Sequence, residues 1–146
     1  MEKEQSLRYI CLKQMSHIPL IWIIDDDDLF IMITRNNIRK TSSQLEVEVF
    51  HDGQESIDCL IERVSTAANL PDIILLDLNM PIADGWAFLT NYAQLDAEVR
   101  NKIQVYVCTS SIDPKDVHRA KEFEDVKDFK EKPLSTEVIL EILGNK

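Results

Sequence analysis

Asp77 closes a run of apolar residues, Ile73-Ile74-Leu75-Leu76, and is followed by Leu78-Asn79-Met80-Pro81 and then Asp84-Gly85. A second acidic group, Asp25-Asp26-Asp27-Asp28, closes the earlier apolar run Leu20 to Ile24. Carboxylates this close repel one another and resist burial unless a cation or a helix terminus compensates them. Aspartates on neighbouring strands suit Mg2+, which takes oxygen ligands in octahedral geometry and keeps several waters. A carboxylate beside such an ion can attack a phosphoryl donor and form an acyl phosphate, provided a cation also neutralises the phosphoryl oxygens. Lys132 is the candidate cation, held toward an extended backbone by Pro133. Thr109, with Ser110 and Ser111 behind it, offers a hydroxyl donor to a phosphoryl oxygen. Each residue also has an ordinary use. Asp27 or Asp28 caps a helix starting near Leu29, Thr109 suits any strand-to-helix turn, and Lys132 suits a solvated loop.

The elements that must position these groups are legible from hydrophobic pattern. Leu20 to Ile24, Ile73 to Leu76 and Val105 to Cys108 are continuous apolar runs, the mark of parallel strands buried on both faces. Leu45 to Phe50 alternates, as an edge strand does, and Val126 to Phe129 makes a fifth strand at the other edge. Ile57, Leu60, Ile61 and Val64, after Asp52-Gly53, form a helical stripe expected to cover one face of the sheet. Asp113-Pro114 starts a helix running to about residue 123, with Asp116 in its first turn. A last helix begins near Ser135, buries Val138, Ile139, Ile142 and Leu143, and ends at Gly144. Five strands alternating with five helices predict a doubly wound α/β sheet whose ligands bind beyond the carboxyl ends of the strands. Asp25 and Asp26, Asp77, Thr109 and Lys132 all fall at that edge.

Bulk properties narrow the function. The chain has 146 residues, enough for one domain with a proper core. With 16 basic against 26 acidic residues its net charge is -10, which disfavours nucleic acid as a partner. Cys11, Cys59 and Cys108 lack metal-type spacing, so a reduced cytoplasmic setting is expected. Residues 1–17 have no secretory core, and the apolar stretch Ile18 to Ile24 is far short of the ~20 residues that span a bilayer, so no membrane insertion is expected. Residues 1–18 are set apart as an N-terminal extension to a domain over 19–146. The first 14 residues are either dispensable, with translation starting at Met15, or a short helix packed on the domain. Trp22 is assigned to the core and Trp86 to packing near the active edge. His17, His51 and His118 are placed on the surface.

Taken together, Ile24-Asp25-Asp26, Leu76-Asp77-Leu78-Asn79-Met80-Pro81 with Asp84-Gly85, Val107-Cys108-Thr109-Ser110, and Lys132-Pro133 resemble the receiver domain of two-component response regulators. The likeness runs from about Pro19 to Leu143 and implies the flavodoxin-like (βα)5 fold with strand order 2-1-3-4-5. It implies phosphorylation of Asp77 by a sensor histidine kinase or phosphotransfer protein. Mg2+ would be held by Asp26, Asp77 and the Asn79 main-chain carbonyl directly, and by Asp25 largely through water. Thr109 would move toward the phosphoryl group, and the burial of Phe129 would report that movement. The signalling surface would be the fourth helix, fifth strand and fifth helix, roughly residues 113–143, facing an unidentified downstream protein. Asp27 and Asp28 lengthen the acidic turn beyond the necessary pair. Asn79 and Ser111 occupy positions that tune acyl phosphate hydrolysis in such domains.

The leading expectation is a single-domain response regulator, a phosphorylation-dependent switch rather than an enzyme, which either docks on a target or relays phosphate. A haloacid dehalogenase-like phosphohydrolase is the enzyme alternative, with Asp25 and Asp27 as its acidic pair. Against it stand Leu29 where that family usually has Thr or Val, the lack of a later acidic motif, and the lack of a cap insertion. A receiver-like interaction module that is never phosphorylated is the third reading, opposed by the complete set of Asp25, Asp26, Asp77, Thr109 and Lys132.

Overall fold

The computed structural model describes residues 18–80 and 84–144. Five strands, β1 (Leu20–Ile24), β2 (Glu46–Phe50), β3 (Ile73–Leu76), β4 (Gln104–Thr109) and β5 (Val126–Glu131), form one parallel sheet in the order β2-β1-β3-β4-β5. Every residue of β1 and β3 is buried, as their unbroken apolar sequences require, whereas β2 and β5 at the edges are partly exposed. Strands pair in register, with Ile24 opposite both Phe50 and Leu76, Leu76 opposite Val107, and Val107 opposite Phe129. That register brings the carboxyl ends of the strands together along one edge of the sheet.

Helices cover both faces: α1 (Asp28–Thr41), α2 (Gly53–Thr66), α3 (Gly85–Tyr92), α4 (Ala97–Arg100), α5 (Pro114–Ala120) and α6 (Thr136–Gly144). Side-chain alternation along the strands divides the core. Trp22, Ile24, Leu76 and Val107 face α2 and α3 residues such as Leu60 and Phe88, while Ile23, Leu75, Tyr106 and Cys108 face Ile31 and Ile38 of α1 and Ile139 of α6. Helix starts follow local chemistry. Asp27, Asp52, Asp84 and Asp113 each accept a backbone N–H of the first turn, and Pro114 follows the last of them.

Several expectations need correction. The described residues hold six helices, not five, because Ala97–Arg100 forms a single turn too short to show a periodic pattern. It is anchored by Arg100, whose Nε donates to Leu95 O at 2.9 Å and whose guanidinium meets Asp125 at 3.0 Å. In α2 the buried stripe is Ser56, Ile57 and Leu60, while Ile61 is 49% exposed. Helix α5 ends at Ala120 rather than near residue 123, and its last turn is followed by tight turns closing on Phe123 N. Cys11, Met15, His17, Pro81 and the extension through residue 17 lie outside the described residues.

Trp22 is fully buried, its ring 4.4 Å from that of Phe50 and 5.5 Å from the Arg63 guanidinium. Trp86 also packs, with Arg119 over its ring at 4.3 Å. Thr34 of α1 is fully buried, and its hydroxyl has no hydrogen-bond partner among the described residues. A buried hydroxyl without a partner destabilises the fold, and valine has the same shape. Thr34→Val is therefore expected to raise stability by about 1 kcal/mol, a melting temperature gain of roughly 2–4 °C, measured by thermal unfolding.

Candidate functional site

Asp25 is the residue after β1, placed by its N–H donating to Phe50 O at 2.9 Å, and its side chain is 1% exposed. Its Oδ1 accepts the Asp27 N–H at 2.9 Å, and its Oδ2 lies 2.6 Å from Lys132 Nζ. Asp77, the residue after β3, is placed in the same way by its N–H donating to Ile24 O at 2.9 Å. Its Oδ1 accepts the Asn79 N–H at 3.2 Å, and its Oδ2 is 3.7 Å from Lys132 Nζ. Asp26 points outward, yet one carboxylate oxygen from each of Asp25, Asp26 and Asp77 falls within 4.8 Å of the others. Lys132, the residue after β5, bridges the two buried acids, and its peptide bond to Pro133 is cis.

Burial pushes the Asp77 carboxyl up to about 6, with the neighbouring Asp25 charge adding to the rise and Lys132 opposing it. Burial likewise raises Asp25, against the lowering effect of Lys132 and the Asp27 N–H. For Lys132, burial works to lower the pKa, but the contact with Asp25 and the charges of Asp25 and Asp77 outweigh it, so the net shift is upward. Lys132 is therefore charged, and one ammonium stands against three carboxylates. Asp25 Oδ2 is buried, and among the described residues its one close partner is Lys132 Nζ. This set of hard oxygen donors with excess negative charge fits a small divalent cation.

The other expected residues fall at the same edge. Thr109 ends β4, is buried, and donates its hydroxyl to Ser111 O at 3.0 Å, so a phosphoryl oxygen would have to compete with that carbonyl. Its own carbonyl accepts the Lys132 N–H at 2.7 Å, which joins these two stations through backbone. Phe129 is half-buried against the cluster on the α2 and α3 face, opposite Val107, and so lies on the face that Thr109 shares. Asn79 is exposed beside Asp77. Asp27 uses its carboxylate to cap α1, accepting the Leu29 N–H at 3.0 Å and the Phe30 N–H at 3.3 Å. That use conflicts with the paired role the phosphohydrolase reading gave it.

Three further residues shape the site, of which only Gly85 was named from sequence. Phe30 lies under the Lys132 ammonium, 4.4 Å from Nζ to the ring centre. Asn37 donates its side-chain amide to Leu134 O at 2.8 Å, tying α1 to the loop beyond Lys132. Gly85 lets α3 approach the loop after β3, since a Cβ there would lie 2.5 Å from Asp77 O and 2.8 Å from Leu78 Cα. Only the glycine carried a signal, as the residue following a capping aspartate close to Asp77.

The five-stranded parallel sheet in the order 2-1-3-4-5, with an acidic pocket at its carboxyl edge, defines a flavodoxin-like α/β protein. The family model described as response regulator receiver domain matches residues 21–144, and the chain belongs to that family. A two-component response regulator from Cytophaga hutchinsonii is 31% identical, with a TM-score of 0.77 covering 88% of this chain and 95% of that one. The phosphorylated cyanobacterial phytochrome response regulator RcpA is 25% identical, with a TM-score of 0.71 over 88% of this chain and 91% of its own. The transcriptional regulatory protein PrrA of Mycobacterium tuberculosis is 32% identical over 95 residues, 65% of this chain. The match spans only 36% of PrrA's length. Among the described residues no helix is long and apolar enough to cross a membrane.

Two outcomes follow from the pocket. The folded chain holds a proton on Asp77 up to about pH 6, whereas an unfolded chain releases it near 3.8, so this group's contribution to stability falls as pH rises between those values. In chelator at pH 7.5, Asp77→Asn is expected to melt higher than the native chain by a few degrees, reflecting about 1–3 kcal/mol. The difference should vanish near pH 4. Gly85→Ala is expected to displace the loop carrying Asp77 and Leu78 and to lower divalent-ion affinity by about tenfold or more, measured by calorimetry against Gly144→Ala, where a Cβ meets nothing within 4 Å.

Proposed function

We propose that this receiver domain takes a phosphoryl group onto Asp77 from a phosphohistidine of a sensor histidine kinase or phosphotransfer protein. The observation that carries the reading is the position of Lys132 between Asp25 and Asp77, at 2.6 and 3.7 Å. A carboxylate oxygen of Asp77 attacks phosphorus, the P–N bond of the donor breaks, and its electron pair returns to the imidazole. Lys132 and the Thr109 hydroxyl meet the phosphoryl oxygens. Asp26, Asp77 and the Asn79 main-chain carbonyl would hold Mg2+ directly, with Asp25 acting largely through water. Bound there, Mg2+ supplies charge neutralisation for the reacting oxygens. That the similar RcpA has been solved in a phosphorylated form supports the assignment.

The acyl phosphate adds ~1.5 to 2 negative charges and three acceptor oxygens. It draws the Thr109 hydroxyl away from Ser111 O, and the vacated space on that face of β4 admits Phe129. The altered surface is α5, β5 and α6, and the output is a protein contact in the cytoplasm rather than turnover of a substrate.

Incubation with acetyl phosphate and Mg2+, followed by intact mass, should add one labile phosphoryl group to the native chain and none to Asp77→Asn. Chelator should abolish the gain. An unchanged native mass would favour a receiver-like interaction module, and multiple-turnover release of phosphate from unrelated esters dependent on Asp25 would favour a hydrolase.

A further inference from the structure

The Lys132 ammonium has an uncharged neighbour as well as its two acids. Its Nζ lies 4.4 Å from the centre of the Phe30 ring, and Phe30 is itself 5% exposed. Phe30 is in the first turn of α1, and its backbone N–H donates to Asp27 Oδ1. Asp27 is in turn fixed by its N–H donating to Asp25 Oδ1. Asp25, Asp27, Phe30 and Lys132 therefore form a closed circuit, with two hydrogen bonds, one ring contact and one ion pair. The extra aspartate of the acidic turn fixes the backbone of the first turn that carries the ring.

The backbone on either side of Lys132 is already held, by Lys132 N–H on Thr109 O and by Asn37 on Leu134 O. What remains free is the four-carbon stem of the lysine, whose ammonium is otherwise held, among the described residues, by Asp25 and Asp77. Those two holds weaken once a divalent cation compensates the charge of the acids. The ring face attracts an ammonium through its quadrupole and competes for neither.

We infer that Phe30 is a positioning residue for Lys132, keeping the ammonium over the carboxylates while their own charge is being compensated. The inference rests on the assignment of Lys132 to the phosphoryl oxygens. It assigns Phe30 no contact with the reacting atoms. An apolar residue that only filled the core would affect the chain whether or not a lysine stood at 132.

The test compares native, Phe30→Leu, Phe30→Tyr, Lys132→Met and the Phe30→Leu/Lys132→Met double variant, with helicity checked by circular dichroism. Phosphoryl gain from acetyl phosphate with Mg2+ is followed by intact mass. Phe30→Leu is expected to slow the gain by about three- to tenfold, and Phe30→Tyr to stay within about twofold of native. In the Lys132→Met background Phe30→Leu should cost nothing further. Independently, in metal-free protein without donor, acetic anhydride labelling of Lys132 relative to Lys130 should rise severalfold in Phe30→Leu. If Phe30→Leu fails to fold, Phe30→Met takes its place. Equal slowing in both lysine backgrounds, or unchanged Lys132 labelling, overturns the inference. If the native chain gains no phosphoryl group the parent assignment fails, and the labelling ratio alone decides whether Phe30 positions the lysine.

Discussion

A buried carboxylate pair, Asp25 and Asp77, can share the carboxyl edge of this sheet only because one ammonium stands between them. Lys132 comes from a strand that is not adjacent to either acid in the sheet order, so its reach across β4 is the constraint to which the rest of the edge conforms. The balance is incomplete by design of the residue set. Burial still raises both acids, and Asp26 brings a third negative charge within 4.8 Å. An arrangement in which the fold is strained by uncompensated charge is one that gains free energy from a divalent ion, and then from an electrophile whose oxygens the lysine can meet.

The sheet sets the distances. Parallel pairing from Phe50 to Ile24, Leu76, Val107 and Phe129 places Asp25 and Asp77 one residue beyond level positions, with Thr109 one residue farther along β4. Period-two alternation then sorts the side chains by face. Asp25, Asp77 and Lys132 lie on the side of α1, with Phe30 beneath the lysine, while Thr109 and Phe129 lie on the side of α2 and α3. The acidic pair with Lys132 and the pair Thr109 and Phe129 thus lie toward opposite faces of the sheet's carboxyl edge, joined by the hydrogen bond from Lys132 N–H to Thr109 O.

Fold and site were legible in the sequence to different depths. Unbroken apolar runs in β1, β3 and β4 announced buried parallel strands, and aspartates before helical segments announced caps at 27 or 28 and at 113, whereas the cap at Asp52 was not read. The acids, Thr109 and Lys132 could be placed because each ends or follows such a run. Ile61 misled, since an apolar residue at helical spacing can still face outward when the buried stripe runs through Ser56, Ile57 and Leu60. The turn Ala97–Arg100 was invisible because a single turn has no period, and its anchor, Arg100 to Asp125, joins residues far apart in sequence. Phe30 was hidden for the opposite reason: a phenylalanine in an amphipathic helix reads as core, and only the path of β5 brings a cation over it.

The central claim, that position 77 carries the acyl phosphate, is tested most directly by locating the modification chemically. After reaction with a phosphoryl donor and Mg2+, borohydride reduction converts an aspartyl phosphate to homoserine, which peptide mass spectrometry assigns to a residue. The account predicts homoserine at position 77 and nowhere else. Homoserine at Asp25 or Asp26, or a stable phosphate on His51 or His118 with position 77 unchanged, would contradict it.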